Sequence, residues 1–178
     1  SLPSMGQLKA SIVKATLAYG YGLKVNMMQL IKAFNIFNNE GKMLTPRLIK
    51  NVGESAKLEV PDMEESIQVL SAVTSKKMLK ILRKTVREGT GKGAFIPGVF
   101  TAGKTGTAHV ARKGKYQKLY HSSFLGFAND NNSRYTLGVL VIHPKNRYFA
   151  SQTAVPVFKE SVLALNMLGW LNKKSSKK

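Results

Sequence analysis

The stretch Asn129-Asp-Asn-Asn-Ser133 sits between two long β-prone runs, Tyr116 to Ala128 and Tyr135 to Ile142. No other feature narrows the choice of fold as much. Asn, Asp and Ser side chains hydrogen-bond the nearby backbone and tolerate turn conformations, so these residues predict a reversal joining two antiparallel strands. A third β-prone run, Val99 to Val110, comes just before, linked through the turn-like Arg112-Lys-Gly-Lys115. Three strands in sequence order with short connections predict an antiparallel meander, which must bury at least one face against something else.

The flanking sequence supplies helices for that purpose. From Val25 to Phe37, the residues Met27, Leu30, Ile31, Phe34 and Phe37 recur three and four apart on one face. Asn26 and Gln29 are spaced as a capping box, and Asn39-Glu-Gly41 supplies a stop. A second helix is expected with Thr74 as its cap and Met78, Leu79, Leu82 and Val86 as its apolar stripe; Lys and Arg fill its outer face, and Gly89-Thr-Gly91-Lys-Gly93 ends it. A closing helix is expected over Thr153–Leu171, with Pro156 in its first turn and Val157, Phe158, Val162, Leu165, Leu168 and Leu171 at helical spacing. The opening residues read as loop, and Met43 to Asp62, with two prolines and short runs such as Met43-Leu44 and Leu48-Ile49, reads as extended segments and loops. The class is therefore α+β: helices, a three-strand meander, then a helix, with no internal repeat.

Composition sets outer limits on function. The 178 residues, 43% hydrophobic and 21% charged, suit one globular domain or a large part of one. The chain has no cysteine, which excludes disulfides, thiolate metal sites and thiol nucleophiles. Lys and Arg number 28 against 9 Asp and Glu, a net +19. Such a field attracts nucleic acid, acidic lipid head groups and carboxylate substrates alike. Residues 172–178 read as a solvated basic tail. No apolar run approaches the ~18 residues of a membrane span. The chain opens Ser1-Leu-Pro-Ser4 with no signal-peptide pattern, so it reads as an excised piece whose anchor would lie upstream.

One motif admits two readings. Gly98-Val-Phe-Thr-Ala-Gly103-Lys104-Thr105 fits the phosphate-loop pattern G-x-x-x-x-G-K-[ST]. A phosphate loop requires a strand before its first glycine and a helix starting at the Lys-Thr, so that backbone N–H groups face the phosphates. Here Gly106-Thr-Ala-His-Val110 continues as a strand former. The best apolar strand, Leu137 to Ile142, ends in His143-Pro144 rather than a magnesium-binding carboxylate. Read as an edge strand, the same residues offer a cation at Lys104, hydroxyls at Thr105 and Thr107, and clearance at Gly106. Free N–H groups on such an edge donate to a bound carbonyl. Alternation puts Thr105 and Thr107 on one face and Lys104 on the other.

The block Ala102-Gly-Lys-Thr-Gly-Thr-Ala108 resembles the third active-site motif of the penicillin-recognising serine transpeptidases, which share their fold with the serine β-lactamases. Four further regions fall where that family has them. Ala18-Tyr-Gly-Tyr-Gly-Leu-Lys-Val-Asn-Met-Met-Gln-Leu30 is similar to the glycine-paired block of class B penicillin-binding proteins, and its wording is nearest the septal, cell-division branch. Thr74 to Gly91, ending Val86-Arg-Glu-Gly-Thr-Gly91, resembles their helix leading into a Gly-Thr-Gly turn; Ser123 to Phe127 and Ala154 to Phe158 resemble the fourth strand and the start of the closing helix.

The resemblance implies an antiparallel sheet packed by helices, of which residues 1–171 form only the C-terminal half. It implies a peptidoglycan D,D-transpeptidase that works through a serine acyl-enzyme on a D-Ala-D-Ala stem peptide and is acylated by β-lactams. Lys104 and Thr107 would be catalytic; Thr105, Gly106 and Thr107 would bind substrate, with the Thr107 N–H as an oxyanion donor. No metal or other cofactor is implied. The implied partners are the upstream half of the same domain and membrane proteins of cell division, and the implied location is the periplasmic face of the bacterial inner membrane.

Two departures matter. The family's nucleophile motif, Ser-x-x-Lys, matches only Ser11-Ile-Val-Lys14 and Ser175-Ser-Lys-Lys178, and neither stands where the family has it. Ser-x-Asn is missing outright. Both motifs are expected from the upstream half. Of the three histidines, His109 reads as a solvent-facing strand residue, and His121 and His143 are spaced for no metal site. The competing class, a basic module for nucleic acid or an anionic surface, rests on charge alone, without a nucleic-acid motif.

Overall fold

A computed structural model describes residues 4, 6–18, 20, 22–47, 66–112 and 115–171. The basic tail, the Leu48-Ile49 run, most of the stretch up to Asp62 and the tip of the Arg112–Lys115 turn lie outside the described residues.

Helices α1 (Ser11–Ala18) and α2 (Met27–Asn38) come first, then the two-residue strands β1 (Lys42–Met43) and β2 (Ile67–Gln68), which pair antiparallel. Helix α3 (Ala72–Glu88) leads through a 3-10 turn at Lys92–Ala94 into β3 (Phe100–Arg112), β4 (Lys115–Asn129) and β5 (Arg134–Ile142). These three form an antiparallel sheet in the order β3-β4-β5, the expected meander, and α4 (Ala154–Met167) closes the chain.

The N-terminus of α2 is built as its sequence dictates. The Asn26 side chain accepts from the Gln29 N–H at 2.8 Å, and the Gln29 side chain accepts from the Asn26 N–H at 3.0 Å. The sequence expectation for α3 needs correction: its cap is Ser71, which accepts from the Thr74 N–H at 3.1 Å, so Thr74 is the capped residue. Two hydroxyl residues three apart are both good cap formers, and the helix takes the one that adds another turn. The opening segment, expected as loop, contains α1, a short helix that buries none of its residues.

α4 is also shorter than expected. The Trp170 N–H donates to the Leu165 carbonyl at 2.9 Å and the Gly169 N–H to the Asn166 carbonyl at 3.0 Å, with Gly169 at φ +71. This is a Schellman stop, and it requires a left-handed residue that glycine supplies without strain. Leu168 is consequently outside the helix and exposed, Val157 is exposed within it, and Leu171 is buried beyond it.

The sheet lies between two helical layers. On one face Phe124 and Ala128 pack with Val155, Phe158 and Val162 of α4, all fully buried. The rings of Phe124 and Phe158 meet edge-on at 4.7 Å. On the other face Ala102 and Phe127 pack with Leu82 and with half-buried Phe34, Phe37, Met78 and Leu79 of α2 and α3. Phe34 stacks on Phe127 at 4.8 Å.

Buried polar groups join these layers. Ser75 donates to the Phe37 carbonyl at 2.7 Å, tying α3 to the end of α2. Asn38, 3% exposed, exchanges amide hydrogen bonds with Asn129 at 3.1 and 2.6 Å. That pair fixes the end of α2 to the end of β4, beside the turn whose Asp130 side chain accepts from the Asn132 N–H at 2.7 Å.

Candidate active site on the β3 edge

Residues Lys104 to Thr107 lie in the middle of β3, an outer strand of the three-strand sheet. No helix starts at Lys104-Thr105, so the phosphate-loop reading fails on geometry as it does on sequence. The register pairs Lys104 with Leu125, Thr105 with Phe124, Gly106 with Ser123 and Thr107 with Ser122. Residues directly opposite each other share a face. Thr105 and Thr107 therefore share the α4 face with Phe124, while Lys104 is on the α2–α3 face, the alternation expected from sequence.

Backbone polarity along the strand follows from two contacts. The Gly103 carbonyl accepts from Thr85 Oγ1, and the Thr105 carbonyl accepts from Lys104 Nζ at 2.8 Å, so both point away from β4. In an antiparallel strand a residue's N–H and C=O point to the same side, and the side alternates with each residue. By that alternation the N–H of Thr107 also faces the open edge. An inward-facing residue would have its N–H committed to β4.

Groups from two other segments, the turn after α3 and the stretch before α4, converge on this edge. Thr90, in the Gly89–Gly91 turn after α3, places its hydroxyl 2.7 Å from that of Thr105. The turn is held from behind: Gly91 is buried, and a methyl group there would lie 3.3 Å from Val86 and 3.4 Å from Phe124. Thr107 Oγ1 accepts from the Ala150 N–H at 3.3 Å, and Ser122, its cross-strand partner, donates to the Tyr148 carbonyl. The segment before α4 is thus clasped to the far end of the motif. Lys104 is exposed, and its ammonium joins no salt bridge among the described residues.

His109 is exposed, as expected; its ring meets Tyr120 at 4.4 Å, and Tyr120 stacks on Tyr148 at 4.2 Å. His121 and His143 stack at 4.9 Å. No group of three His, Asp or Glu able to hold a metal occurs among the described residues. Ser11 and Lys14 are exposed on the first turn of α1.

Sequence reasoning missed Thr90, Thr85 and the Tyr148–Ala150 clasp, because each reaches β3 through a tertiary contact that leaves no local pattern. It also missed an open cleft of about 750 Å³ lined by Asn38, Ser75, Lys76, Phe100, Asn129 and Arg134. This cleft sits where β3 begins and β4 ends, away from Lys104.

The family model for the penicillin-binding protein transpeptidase domain matches residues 2–163. The chain belongs to this family. Within the penicillin-binding proteins its relatives are class B. It is 34% identical over 153 residues to the stage V sporulation protein D of Bacillus subtilis, covering 82% of this chain and 23% of that protein. It is 32% identical over 149 residues to the peptidoglycan D,D-transpeptidase FtsI of Buchnera aphidicola, covering 82% and 25%. Among solved structures, the transpeptidase domain of Burkholderia pseudomallei penicillin-binding protein 3 superposes with a TM-score of 0.72 at 30% identity, covering 88% of this chain and 46% of that one. The chain thus spans about a quarter of the length of these two relatives. As a penicillin-binding transpeptidase segment, it has the α+β architecture expected from sequence, with its antiparallel sheet packed by helices.

Proposed function

We propose that the β3 edge is the substrate-binding strand of a peptidoglycan D,D-transpeptidase. What carries this is the outward N–H of Thr107 beside two hydroxyls on one face and, on the other, an ammonium that joins no salt bridge among the described residues. A D-Ala-D-Ala stem peptide lying antiparallel along the edge presents its terminal carboxylate to the Thr105 and Thr107 hydroxyls. Its scissile carbonyl oxygen accepts from the Thr107 N–H, which stabilises the negative charge that develops there. Lys104 adds a positive field and tunes proton transfer, and Gly106 leaves room for the peptide backbone. β-Lactams occupy the same edge as mimics of the donor.

On this reading residues 1–171 are the C-terminal half of the domain and 172–178 a basic tail. The preceding half supplies the serine nucleophile with its lysine and the Ser-x-Asn motif, and this chain alone is inactive. The parent protein works at the periplasmic face of the inner membrane, anchored upstream, with membrane proteins of cell division as partners. The family membership and the relative named as a peptidoglycan D,D-transpeptidase support the assignment.

The test uses the parent protein and a fluorescent penicillin. Lys104→Ala is expected to slow acylation about 100-fold, on the scale of losing one electrostatic stabiliser. Thermal unfolding should remain unchanged, because Lys104 is exposed. Acylation within twofold of the parent rate would overturn the role given to this strand.

A further inference from the structure

The outer face of α3 is far more basic than a helix needs for solubility. It carries Lys76, Lys77, Lys80, Arg83, Lys84 and Arg87, all exposed, against the single acid Glu88, which pairs with Lys84 at 3.6 Å. At about 100° per residue the six cations occupy an arc of roughly 120°, opposite the buried row of Ser75, Leu82 and Val86. From Lys76 to Arg87 the ridge is about 16 Å long.

Two details distinguish this face from a solvated charge run. Val73 lies inside the cationic arc at 63% exposed, and Ile81 at its flank is 57% exposed. Both arginines are also held in place. Arg83 sits over the Phe100 ring at 5.0 Å and Arg87 over the Phe95 ring at 6.0 Å. A guanidinium laid on an aromatic ring keeps its N–H edge free for a carboxylate and loses less freedom on pairing.

We propose that this face docks an acidic amphipathic helix of another protein. The partner's carboxylates, one per helical turn, meet the six cations, and its aliphatic side chains cover Val73 and Ile81. Charge complementarity selects an acidic partner. The interleaved apolar side chains favour a polypeptide over a polyphosphate or nucleic acid, which would leave Val73 and Ile81 uncovered. This inference is independent of the reading given to β3.

The experiment titrates the parent protein with a fluorescent synthetic peptide, helical, with Glu at each turn and Leu along one flank. The expected result is saturable binding, weakened about tenfold in the triple variant Lys80→Glu, Arg83→Glu, Lys84→Glu. Ile81→Ala is expected to weaken it about fivefold. Reversing three exposed lysines elsewhere, Lys14→Glu, Lys42→Glu and Lys145→Glu, should leave it within twofold. Penicillin acylation should be unchanged in all of these variants. No binding of the peptide would overturn the proposal, as would equal weakening by the two triple variants. An Ile81→Ala protein that binds normally, with polyphosphate competing at equal charge, would show a nonspecific polyanion surface instead.

Discussion

Gly103 and Gly106 are three residues apart on β3, yet a methyl group added at Gly103 should destabilise the protein and one at Gly106 should not. Gly103 pairs across the sheet with Gly126, and the two together form the floor on which the Phe124 ring lies. A Cβ on Gly103 would stand 2.5 Å from Phe124 Cζ and 2.6 Å from the Leu125 carbonyl oxygen. Phe124 is fully buried and pinned by Phe158, and Leu125 O is backbone, so neither can yield without disturbing the β3–β4 pairing. Overpacking of this kind costs about 1–3 kcal/mol, offset by roughly 0.4–1 kcal/mol from a less flexible unfolded chain. Gly103→Ala is expected to destabilise by about 1.3 kcal/mol.

At Gly106 the added methyl would meet only Ser123 Oγ, at 2.5 Å, which rotates away about a single bond. Gly106→Ala should therefore be neutral within about 0.5 kcal/mol, because the entropic gain covers the small adjustment. The assay is thermal and urea unfolding of the two variants in the parent protein, with penicillin acylation measured in parallel. Gly106→Ala is expected to keep its stability while acylation slows, if β3 binds substrate as proposed and the added methyl narrows the room for the peptide. Equal stability of the two variants would refute the packing argument. A destabilised Gly106→Ala protein would refute the distinction between the two sites.

Two further outcomes follow from polar contacts. Asn38→Ala strips Asn129 of its amide partner at a buried site, so unfolding measurements should show a loss of about 2–3 kcal/mol; Asn38→Asp, which sets a buried carboxylate oxygen against the Asn129 and Tyr135 oxygens, should lose at least as much. Asn26→Ala removes one half of the α2 capping box and should lower stability by about 1 kcal/mol, while Asn26→Ser restores most of it.

The fold was legible wherever its cause is local. The Asn26–Gln29 box, the Asn129–Ser133 reversal and the three strands rest on neighbours in sequence, and each appears where the residues place it. Errors arose where two local solutions compete, as with Ser71 and Thr74, or where apolar spacing outruns the helix, as at Leu168 and Leu171 beyond Gly169. Helix α1 was missed because it presents no stripe to a core, and none of its residues is buried. In the site, the opposite facing of Lys104 and Thr105 followed from period-two alternation. Thr90 beside Thr105 and the Tyr148–Ala150 clasp did not, since those contacts join residues 15 and 43 apart.

On the proposed function, this chain supplies the binding strand and the nucleophile comes from elsewhere in the parent protein. Mass-spectrometric mapping of the penicillin adduct tests it most directly. One adduct is expected on the parent protein, on a serine in a Ser-x-x-Lys sequence outside residues 1–178, and none on this chain expressed alone. An adduct on Ser11, or on any other serine within residues 1–178, would contradict it.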